Sequence, residues 1–573
     1  MCGIFCYICF SNNSTEGDKT LQSCRNVLKN RGPNRESTLW YDSRVLFYGS
    51  VLWHQGESLC AQPIESDQTV LVFNGDVFQP RQDMNKSDTL WLLERIETCR
   101  NENELYHLFA CLRGPYSVIF LRKEENRIYF ARDAVGRNSL LFGKTHNGDI
   151  LITSAGGNMP SSVVHELPPY GIYFIDLDKE NERNPITLLP WTDDCPQLEQ
   201  IFCDEIKFRP YVPINDQPVQ TSSLQPNFTF HTLLTKESPM EGDIFDRVLR
   251  HTEVKNVCTQ LLRTLRNSVS ERIIHTRQYC KMCLQTQTTC THAKVGVLFS
   301  GGIDCTILAL LADEFVPANC PIELINVAFE KVNRSNVKPV QIDWNVPDRV
   351  TGKASLDELR RLRPNRTWHF VEVNVTRCEL NEKRKNIANL VFPLRNVLDE
   401  SLGAALWFAS KGIGQKGGES YSSTCRVLLL GSGADELFGG YTRHKAAFER
   451  NSSSEDAYEK AYEALEAELN LDWKRLPSRN LARDDRVISD NGVTPRAPYL
   501  QEDFIAQVRS LKAYQRCFHP LGPGVGDKFM LRLCAYELGL TQACVLRKRA
   551  LQFGSRIADR KQNASDRSTY LED

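Results

Sequence analysis

Residues 295–310, VGVLFSGGIDCTILAL, decide the fold of the larger part of this chain. An apolar strand leads into a Ser-Gly-Gly turn, and the apolar start of a helix follows the turn. Strands that are apolar throughout and alternate with helices are typical of a parallel sheet covered on both faces. The two glycines let the main chain approach a ligand closely, and the amides that open the next helix favour an anion.

A carboxylate stands directly after this turn, at Asp304. Taken alone, a Ser-Gly-Gly turn is most often an ordinary strand-to-helix connection, and the GK[ST] of a Walker loop is absent. An acid beside phosphates repels them unless a cation lies between, so Asp304 indicates Mg²⁺. A second glycine turn, LGSGADELFGGY at 430–441, carries Asp435 and also follows an apolar strand. Two such turns at adjacent strand ends predict a nucleotide site at the carboxyl edge of the sheet.

The composition is ordinary for a globular chain of two or three domains, with 573 residues, 41% hydrophobic and 25% charged. A formal net charge of −1 indicates neither nucleic acid nor an anionic membrane as partner, and the basic run at 360–366 is expected to be a solvated face. No apolar run reaches about 18 residues, so no membrane span is expected. The 20 cysteines are scattered and no basic signal segment is present, which predicts reduced thiols and a cytoplasmic location.

The patterning divides the chain into four segments. Short apolar runs separated by turn residues predict a layered sheet domain over 2–184, with a helix near SDTLWLLERIETC. Residues 185–250 are rich in Pro, Asn, Gln, Ser and Thr and are predicted to be a linker. Residues 251–556 open on a long amphipathic helix and continue as a doubly wound parallel α/β sheet. Residues 557–573 are predicted to be a polar, mobile tail.

The two glycine turns resemble known families. SGGID resembles the SGGxDS loop of the N-type ATP pyrophosphatases, and LGSGADELFGGY resembles the matching segment of asparagine synthetases. RNLARDDRV…GVTPRAPYLQEDF at 479–504, GDKFMLR and RKRALQFGS resemble later segments of that family. The resemblance implies that ATP, as Mg²⁺-pyrophosphate on Asp304 and Asp435, binds this part of the chain. The residues implied to bind ATP and pyrophosphate are Ser300, Gly301, Gly302, Asp304, Cys305, Ala328, Gly431, Asp435 and Arg549, with Arg547, Lys548 and Lys528 as further cations.

The N-terminal segment resembles the class II glutamine amidotransferases. MCGIF places a cysteine second, and KNRGPN (29–34), FNGDVF (73–78), SDTLW (87–91) and LRGPYSVIFL (112–121) resemble further segments of that family in order. The resemblance implies an αββα sandwich of the N-terminal nucleophile type. It also implies that Cys2, after removal of Met1, attacks glutamine with its own α-amine as base.

The same resemblance assigns the other residues of that site. Asn74 and Gly75 are implied to hold the oxyanion, and Asp76 and Asp88 the ammonium group of glutamine. The whole chain is thus expected to resemble glutamine-hydrolysing asparagine synthetases. Ammonia released at Cys2 would pass through the interior to an aspartyl-adenylate made from aspartate and ATP, with AMP and pyrophosphate as by-products.

Four positions depart from the family pattern. Val51 stands where the family has an arginine for the glutamine carboxylate, and Ser432 stands where it has a glutamate. Asn34 replaces an aspartate, and Cys305 replaces a hydroxyl. Two alternatives therefore stand beside asparagine synthesis: amidation or adenylation of another carboxylate, and a non-catalytic scaffold that binds nucleotide or protein. Nothing in the sequence specifies the oligomeric state.

Cys280, Cys283, Cys290 and His292 form a CxxC…CxH pattern in a short polar stretch. The pattern is compatible with a zinc knuckle. The spacing is cramped and no strands flank it, so a family-specific insertion without metal is the favoured interpretation.

Overall fold

The computed structural model describes residues 2–10, 14–79, 81, 83, 85–156, 162–178, 186–192, 195, 198–202, 206–210, 226–235, 243–330, 342–452, 457–558, 563 and 565–569. The strands are β1 (Gly3–Ile8), β2 (Arg35–Tyr41), β3 (Val45–Val51), β4 (Ile64–Glu65), β5 (Thr69–Gly75), β6 (Tyr116–Arg122), β7 (Arg127–Arg132), β8 (Leu141–Thr145), β9 (Ile150–Thr153), β10 (Ser162–Glu166), β11 (Gly171–Asp176), β12 (Ile186–Pro190), β13 (Ile206–Phe208), β14 (Val295–Leu298), β15 (Ile322–Phe329), β16 (Trp368–Val375), β17 (Ile413–Lys416), β18 (Glu419–Ser422), β19 (Val427–Leu429) and β20 (Thr494–Arg496).

The α-helices cover both halves of the chain. They are α1 (Ser14–Arg31), α2 (Asp88–Thr98), α3 (Glu102–Ala110), α4 (Leu198–Phe202), α5 (Phe230–Thr235), α6 (Ile244–Leu249), α7 (Thr252–Ile274), α8 (Ile303–Ala312), α9 (Pro347–Leu362), α10 (Arg377–Val391), α11 (Val397–Lys411), α12 (Ala434–Phe438), α13 (Thr442–Glu449), α14 (Tyr458–Leu476), α15 (Ala482–Ser489), α16 (Glu502–Ser510), α17 (Ala513–Arg516), α18 (Phe529–Glu537) and α19 (Leu551–Gly554). None of these described helices is both long and apolar enough to cross a bilayer.

Two sheets stack in the N-terminal half. One has the order β10-β8-β9-β1-β3-β2, and the other has the order β13-β12-β11-β7-β6-β5-β4. Their facing side chains form one apolar layer that includes Ile4, Phe47, Val72 and Phe130. Helix α1 covers the outer face of the first sheet, and α2 and α3 cover the outer face of the second. The four layers confirm the αββα sandwich.

The C-terminal half is built on one further sheet, in the order β18-β17-β16-β15-β14-β19-β20. Strands β16, β15, β14, β19 and β20 are parallel, and the β17–β18 hairpin extends one edge in the antiparallel sense. Helices α7, α8 and α18 pack in the core on one face, and α10, α11 and α15 pack on the other. This arrangement confirms the doubly wound α/β sheet and places the ends of β14 and β19 side by side.

Much of the segment predicted to be a linker, 185–250, belongs to the two halves. β12 pairs with β11, and β13 pairs with β12, so the second sheet continues to Phe208. Phe230 and Phe245, from α5 and α6, are buried in the core of the C-terminal half. The described part of the predicted tail is also packed, because Ser568 is buried and its hydroxyl donates to Glu400 of α11. Short strands and helices among many polar residues gave too little periodicity to predict these elements.

Candidate active site

The turn after β14 is shaped by a glycine that no other residue could replace without strain. Gly301 has a φ of +78°, and a Cβ there would lie 2.4 Å from the main chain of Thr351. The Thr351 hydroxyl donates to the carbonyl of Ser300 at 2.7 Å, so α9 holds the turn from outside. As a result Ser300, Gly302 and Asp304 face the space beyond the strand end.

The turn after β19 brings a second carboxylate to the same space. Gly433 has a φ of +94°, and α12 begins directly after it with Asp435 in its first turn. A Cβ on Gly440 would meet the Asp435 carboxylate at 1.9 Å, so the glycine leaves room for that side chain. A Cβ on Gly431 would lie 2.9 Å from the Asp304 Cβ, which shows how closely the two turns approach.

Two lysines neutralise the paired carboxylates. The Lys528 ammonium lies 2.6 and 2.8 Å from the Asp304 oxygens and 2.7 Å from Asp435 Oδ1. The Lys548 ammonium lies 2.6 Å from Asp435 Oδ2. Lys528 is fully buried and has a left-handed φ of 55°, a conformation that a non-glycine residue keeps only where its surroundings enforce it.

The ionisation of this cluster follows from its mutual pairing. Burial would raise the pKa of Asp435, but the charges of Lys528 and Lys548 outweigh it and hold that pKa well below its ordinary value. Burial would lower the pKa of Lys548, and the charges of Asp435 and Asp304 raise it instead. Asp435 and Lys548 therefore stay charged at neutral pH.

Two further carboxyl groups beside the cluster have raised pKa values, in contrast to Asp435. Burial, followed by the charge of Asp435, raises the pKa of Glu436 to about 6. Burial raises the pKa of Asp348 to about 7, against the charges of Lys548 and Arg549. Asp348 Oδ2 is buried and has no hydrogen-bond partner within the described chain.

All these groups line one cavity of about 460 Å³ at the carboxyl edge of the parallel sheet. Its lining carries nine basic and six acidic side chains, so it favours a polyanion. Sequence reasoning missed five of the cations, which come from α13, the end of α14, the stretch that joins α14 to α15, α15 itself and α18. They are Arg443, Arg475, Arg479, Arg483 and Arg532. The signal was present for three of them, since Arg479 and Arg483 belong to the RNLARDDR segment and Arg532 belongs to GDKFMLR.

Most residues predicted to bind ATP lie here, with two differences. Ser300, Gly302, Asp304, Cys305, Gly431, Asp435 and Arg549 line the cavity. Gly301 forms the turn behind them, and Ala328 is buried in β15 while its neighbours Asn326 and Val327 line the cavity. The Cys305 thiol donates to the carbonyl of Gly302 at 3.2 Å, and burial raises its pKa.

Cys2 lies at the start of β1, between the two sheets of the sandwich. Its main-chain nitrogen donates to Asn74 Oδ1 at 2.8 Å, and the Asn74 amide donates to the Ser117 hydroxyl at 3.1 Å. Gln62 Nε2 lies 3.7 Å from the Cys2 sulfur. Burial raises the pKa of the Cys2 thiol, against the nearby amino terminus and a main-chain hydrogen bond from Leu52. Gly75 follows Asn74 at the end of β5, opposite Tyr116.

Asp76 has a partner within the protein that the sequence did not predict. Both of its oxygens accept from Arg496 of β20, at 2.7 and 3.0 Å, and all these groups are buried. Burial would raise the pKa of Asp76, but Arg496 lowers it. The carboxylate expected to bind the ammonium of glutamine is thus paired within the protein. Asp88 remains near enough to Cys2 to act on its thiol, and burial, then the charge of Asp76, raises the pKa of Asp88 to about 6.

Buried arginines join the Cys2 site to the C-terminal half. Arg31 donates to the Cys2 carbonyl at 3.2 Å and forms an ion pair with Asp485 of α15 at 2.9 Å. Arg486 pairs with Glu166, and Arg137 pairs with Glu502, also across the two halves. The RGPN and RDDR motifs contained Arg31 and Asp485, but the sequence did not show that they meet.

A second, small cavity of about 30 Å³ lies between the two sites. It is lined by Asn138, whose side chain donates to the main chain of Asn74 at 2.8 Å, and by Arg496. Ser432 and Asp484 line both this cavity and the large one. The space suffices for about one water-sized molecule, and it lies between the Asn74 end of the Cys2 site and the turn that carries Ser432.

The comparisons with known proteins match both halves of the chain. A family model for asparagine synthase matches residues 281–566, and a model for a glutamine amidotransferase domain matches residues 1–163. The chain is 41% identical to "Asparagine synthetase domain-containing protein CG17486" of Drosophila melanogaster, over all of both chains. It is 33% identical to "Asparagine synthetase domain-containing protein 1" of Homo sapiens, over all of this chain and 98% of that protein.

The chain belongs to the asparagine synthetase domain-containing proteins. A Saccharomyces cerevisiae protein of that name, YML096W, is 27% identical over all of this chain and 98% of its own length.

This asparagine synthetase domain-containing protein differs from the synthetase pattern where substrates would meet it. Val51 is buried in the apolar layer between the two sheets, so it provides no charge for a carboxylate. Nearby His54 is also buried, and its Nε2 lies 2.6 Å from the Thr494 hydroxyl. Ser432 is a neutral group at the junction of the two cavities. The asparagine synthetases that the sequence resembles have a glutamate at this position.

Proposed function

We propose that this protein is a glutamine-dependent ligase that makes an amide from a carboxylate, with ATP as the source of activation and aspartate as the default acceptor. The observation that carries the proposal is the arrangement of Asp304, Asp435, Lys528 and Lys548 around a polyanion-sized cavity that shares Ser432 with the small cavity beside the Cys2 site. The family model for asparagine synthase and the relatives' names support the same class of reaction.

The first half-reaction would take place at Cys2. After removal of Met1, the Cys2 main-chain nitrogen, which donates a hydrogen bond to Asn74 Oδ1, would become an α-amine that accepts the thiol proton. The thiolate forms a bond to the side-chain carbon of glutamine, the carbon–nitrogen bond breaks, and ammonia leaves with the proton. Asn74 and the Gly75 amide would hold the oxyanion, and water would then release glutamate from the thioester.

The second half-reaction would take place in the large cavity. The acceptor carboxylate would attack the α-phosphorus of ATP, pyrophosphate would leave, and ammonia would displace AMP to form the amide. The nine basic side chains would hold the phosphates. Two carboxylates beside space for phosphate oxygens are a ligand set that fits Mg²⁺, so Asp304 and Asp435 would hold that ion while Lys528 and Lys548 move to the phosphates. A bound Mg²⁺ supplies charge neutralisation for the leaving pyrophosphate.

An acceptor other than aspartate is the second candidate, because Ser432 changes the charge at the point where acceptor and ammonia would meet. A glutamate there can orient an ammonium group or take up a proton. A serine carries no negative charge at neutral pH, so it can do neither in that way. A neutral serine favours an acceptor that brings no ammonium group to this position.

Product analysis on the purified full chain tests the proposal. ATP, Mg²⁺ and aspartate are supplied with either glutamine or an ammonium salt, and pyrophosphate, glutamate and asparagine are measured. Asparagine from both nitrogen sources is the expected result, and a panel of other carboxylates is assayed for pyrophosphate release alongside. Intact mass shows whether the chain begins at Cys2.

The outcomes separate the candidates. Asparagine from ammonium alone would place the defect at Val51, and pyrophosphate only with another carboxylate would establish the second candidate. Bound ATP without any product from any carboxylate would overturn the ligase and support a nucleotide-binding scaffold.

A further inference from the structure

The four residues of the CxxC…CxH pattern converge in the structure. The ligand atoms of Cys280, Cys283, Cys290 and His292 all lie within 4.8 Å of one another. His292 Nδ1 is 3.4 Å from the Cys280 sulfur and 3.5 Å from the Cys283 sulfur. Cys280 is buried, the other two cysteines are partly exposed and His292 is exposed, so the cluster lies just below the surface.

The two sulfur–nitrogen distances are those of a tetrahedral zinc site. Zinc binds thiolates at about 2.3 Å and imidazole at about 2.0–2.1 Å, so a tetrahedral ion holds a sulfur and a nitrogen ligand about 3.5 Å apart. Three sulfurs and one imidazole nitrogen form a common structural zinc set, whereas Mg²⁺ and Ca²⁺ prefer oxygen ligands. All four positions are filled from the protein, which leaves no open position for catalysis.

Main-chain amides are directed at the sulfurs. The Cys283 amide donates to the Cys280 sulfur at 3.4 Å. The Cys290 sulfur accepts hydrogen bonds from the amides of Cys280 and His292. Amide donors favour the thiolate, which is the form that binds a metal.

The segment that carries the cluster, residues 276–292, lies between the two halves of the molecule. The Arg277 amide donates to the His54 carbonyl at 3.0 Å, and its guanidinium donates to the Glu57 carbonyl at 2.8 Å. Lys281 binds the C-terminal half, through its amide to Thr424 and its ammonium to Asn491. A metal would thus rigidify a strap that holds the stretch after Val51 against the parallel sheet.

We propose that Cys280, Cys283, Cys290 and His292 bind one structural zinc ion that rigidifies the strap 276–292. This replaces the interpretation, favoured from the sequence alone, of an insertion without metal. The spacing was uninformative because it cannot show that a loop of this length folds back on itself. The zinc site is independent of the proposed ligase activity.

Metal analysis of the untagged full chain, purified under reducing conditions without chelator, tests the site. We expect about one zinc per chain, as measured by mass spectrometry of the acid-released metal. Cys283→Ser and Cys290→Ser are expected to lower the zinc content at least about fivefold. Cys378→Ser removes an exposed cysteine on α10, away from the strap, and is the matched control, with unchanged zinc.

Cobalt substitution gives a readout that does not depend on those variants folding. Co²⁺ bound to the otherwise unchanged chain is expected to show the visible bands of tetrahedral coordination and a thiolate-to-cobalt charge-transfer band. Cys290→His, which keeps a ligand at that position, is expected to retain the metal with a weaker charge-transfer band. Wild-type protein without zinc, a disulfide among these cysteines, or zinc retained in both serine variants would each overturn the proposal.

Discussion

The two candidate centres of this molecule differ in whether their surroundings favour charged or neutral side chains. In the large cavity, carboxylates and lysines are paired around an open space, so opposite charges are already in place before a ligand arrives. At Cys2 the thiol and the Asp88 carboxyl are both buried, and burial raises the pKa of the thiol and raises that of Asp88 to about 6. A cavity with exchangeable ion pairs can take up a polyanion directly, whereas burial at the Cys2 site disfavours the charged forms of both the thiol and the Asp88 carboxyl.

The largest difference between the two centres is expected when Cys2 is replaced. Cys2→Ala is expected to lower glutamine hydrolysis by about 10⁴-fold or more, because no other group replaces the attacking sulfur. The reaction with ammonium salt should stay at the wild-type rate, since the large cavity is untouched. Glutamate and pyrophosphate release measured on the same samples separate the two effects, with Cys378→Ala as control. Equal loss of both activities would mean that the centres are not separable.

The next largest effect is expected where the halves meet. Arg496→Met leaves the buried Asp76 charge without its partner, which costs about 3–5 kcal/mol in the free energy of unfolding. Denaturation by urea measures the loss. The double variant with Asp76→Asn removes both charges and should recover part of it. If the single variant is as stable as wild type, the ion pair does not hold the halves together.

A pH series tests whether burial near Cys2 disfavours the ionised form of Asp88. Burial raises the folded-state pKa of Asp88 to about 6, so ionising this group destabilises the folded protein. The penalty is absent below about pH 4, grows as pH rises, and is complete above about pH 6. Asp88→Asn removes it and should be about 2–3 kcal/mol more stable than wild type at pH 7, with no difference near pH 4.

Thermal denaturation from pH 4 to 8 compares the two proteins, with Asp67→Asn on an exposed turn as the control. A stability difference that does not vary with pH would show that Asp88 ionises without cost and that the contrast between the centres is smaller than described.

The smallest expected effect concerns nucleotide affinity. Lys528→Met removes a cation that lies between Asp304 and Asp435, and ATP is expected to bind about 10–100-fold more weakly, the value of one or two charge-assisted hydrogen bonds. Calorimetric titration with Mg²⁺-ATP measures it, and Lys255→Met, on an exposed helix face, is the control. Unchanged affinity would show that Lys528 stays with the carboxylates when ATP binds.

The sequence predicted the elements of each centre better than the contacts between them. The two glycine turns were predictable because positive φ and apolar strands are local properties, and both turns lie where expected. Arg496 was not recognised as the partner of Asp76, because 420 residues separate them and a single sequence carries no pairing information. Strands β12 and β13 were missed for the opposite reason, since they are short and their polar flanks resemble a linker.

The buried ion pairs between the two halves join residues that are synthesised at very different times. Asp485 follows Arg31 by 454 residues, and Arg496 follows Asp76 by 420. At a translation rate of about 5–20 residues per second, the N-terminal half waits roughly 20–90 s on the ribosome for these partners. During that interval Arg31, which donates to the Cys2 carbonyl in the complete chain, lacks its partner Asp485. If the proposed activity is correct, we expect a nascent chain stalled before residue 485 to hydrolyse no glutamine, because the contacts that hold Arg31 against Cys2 are incomplete.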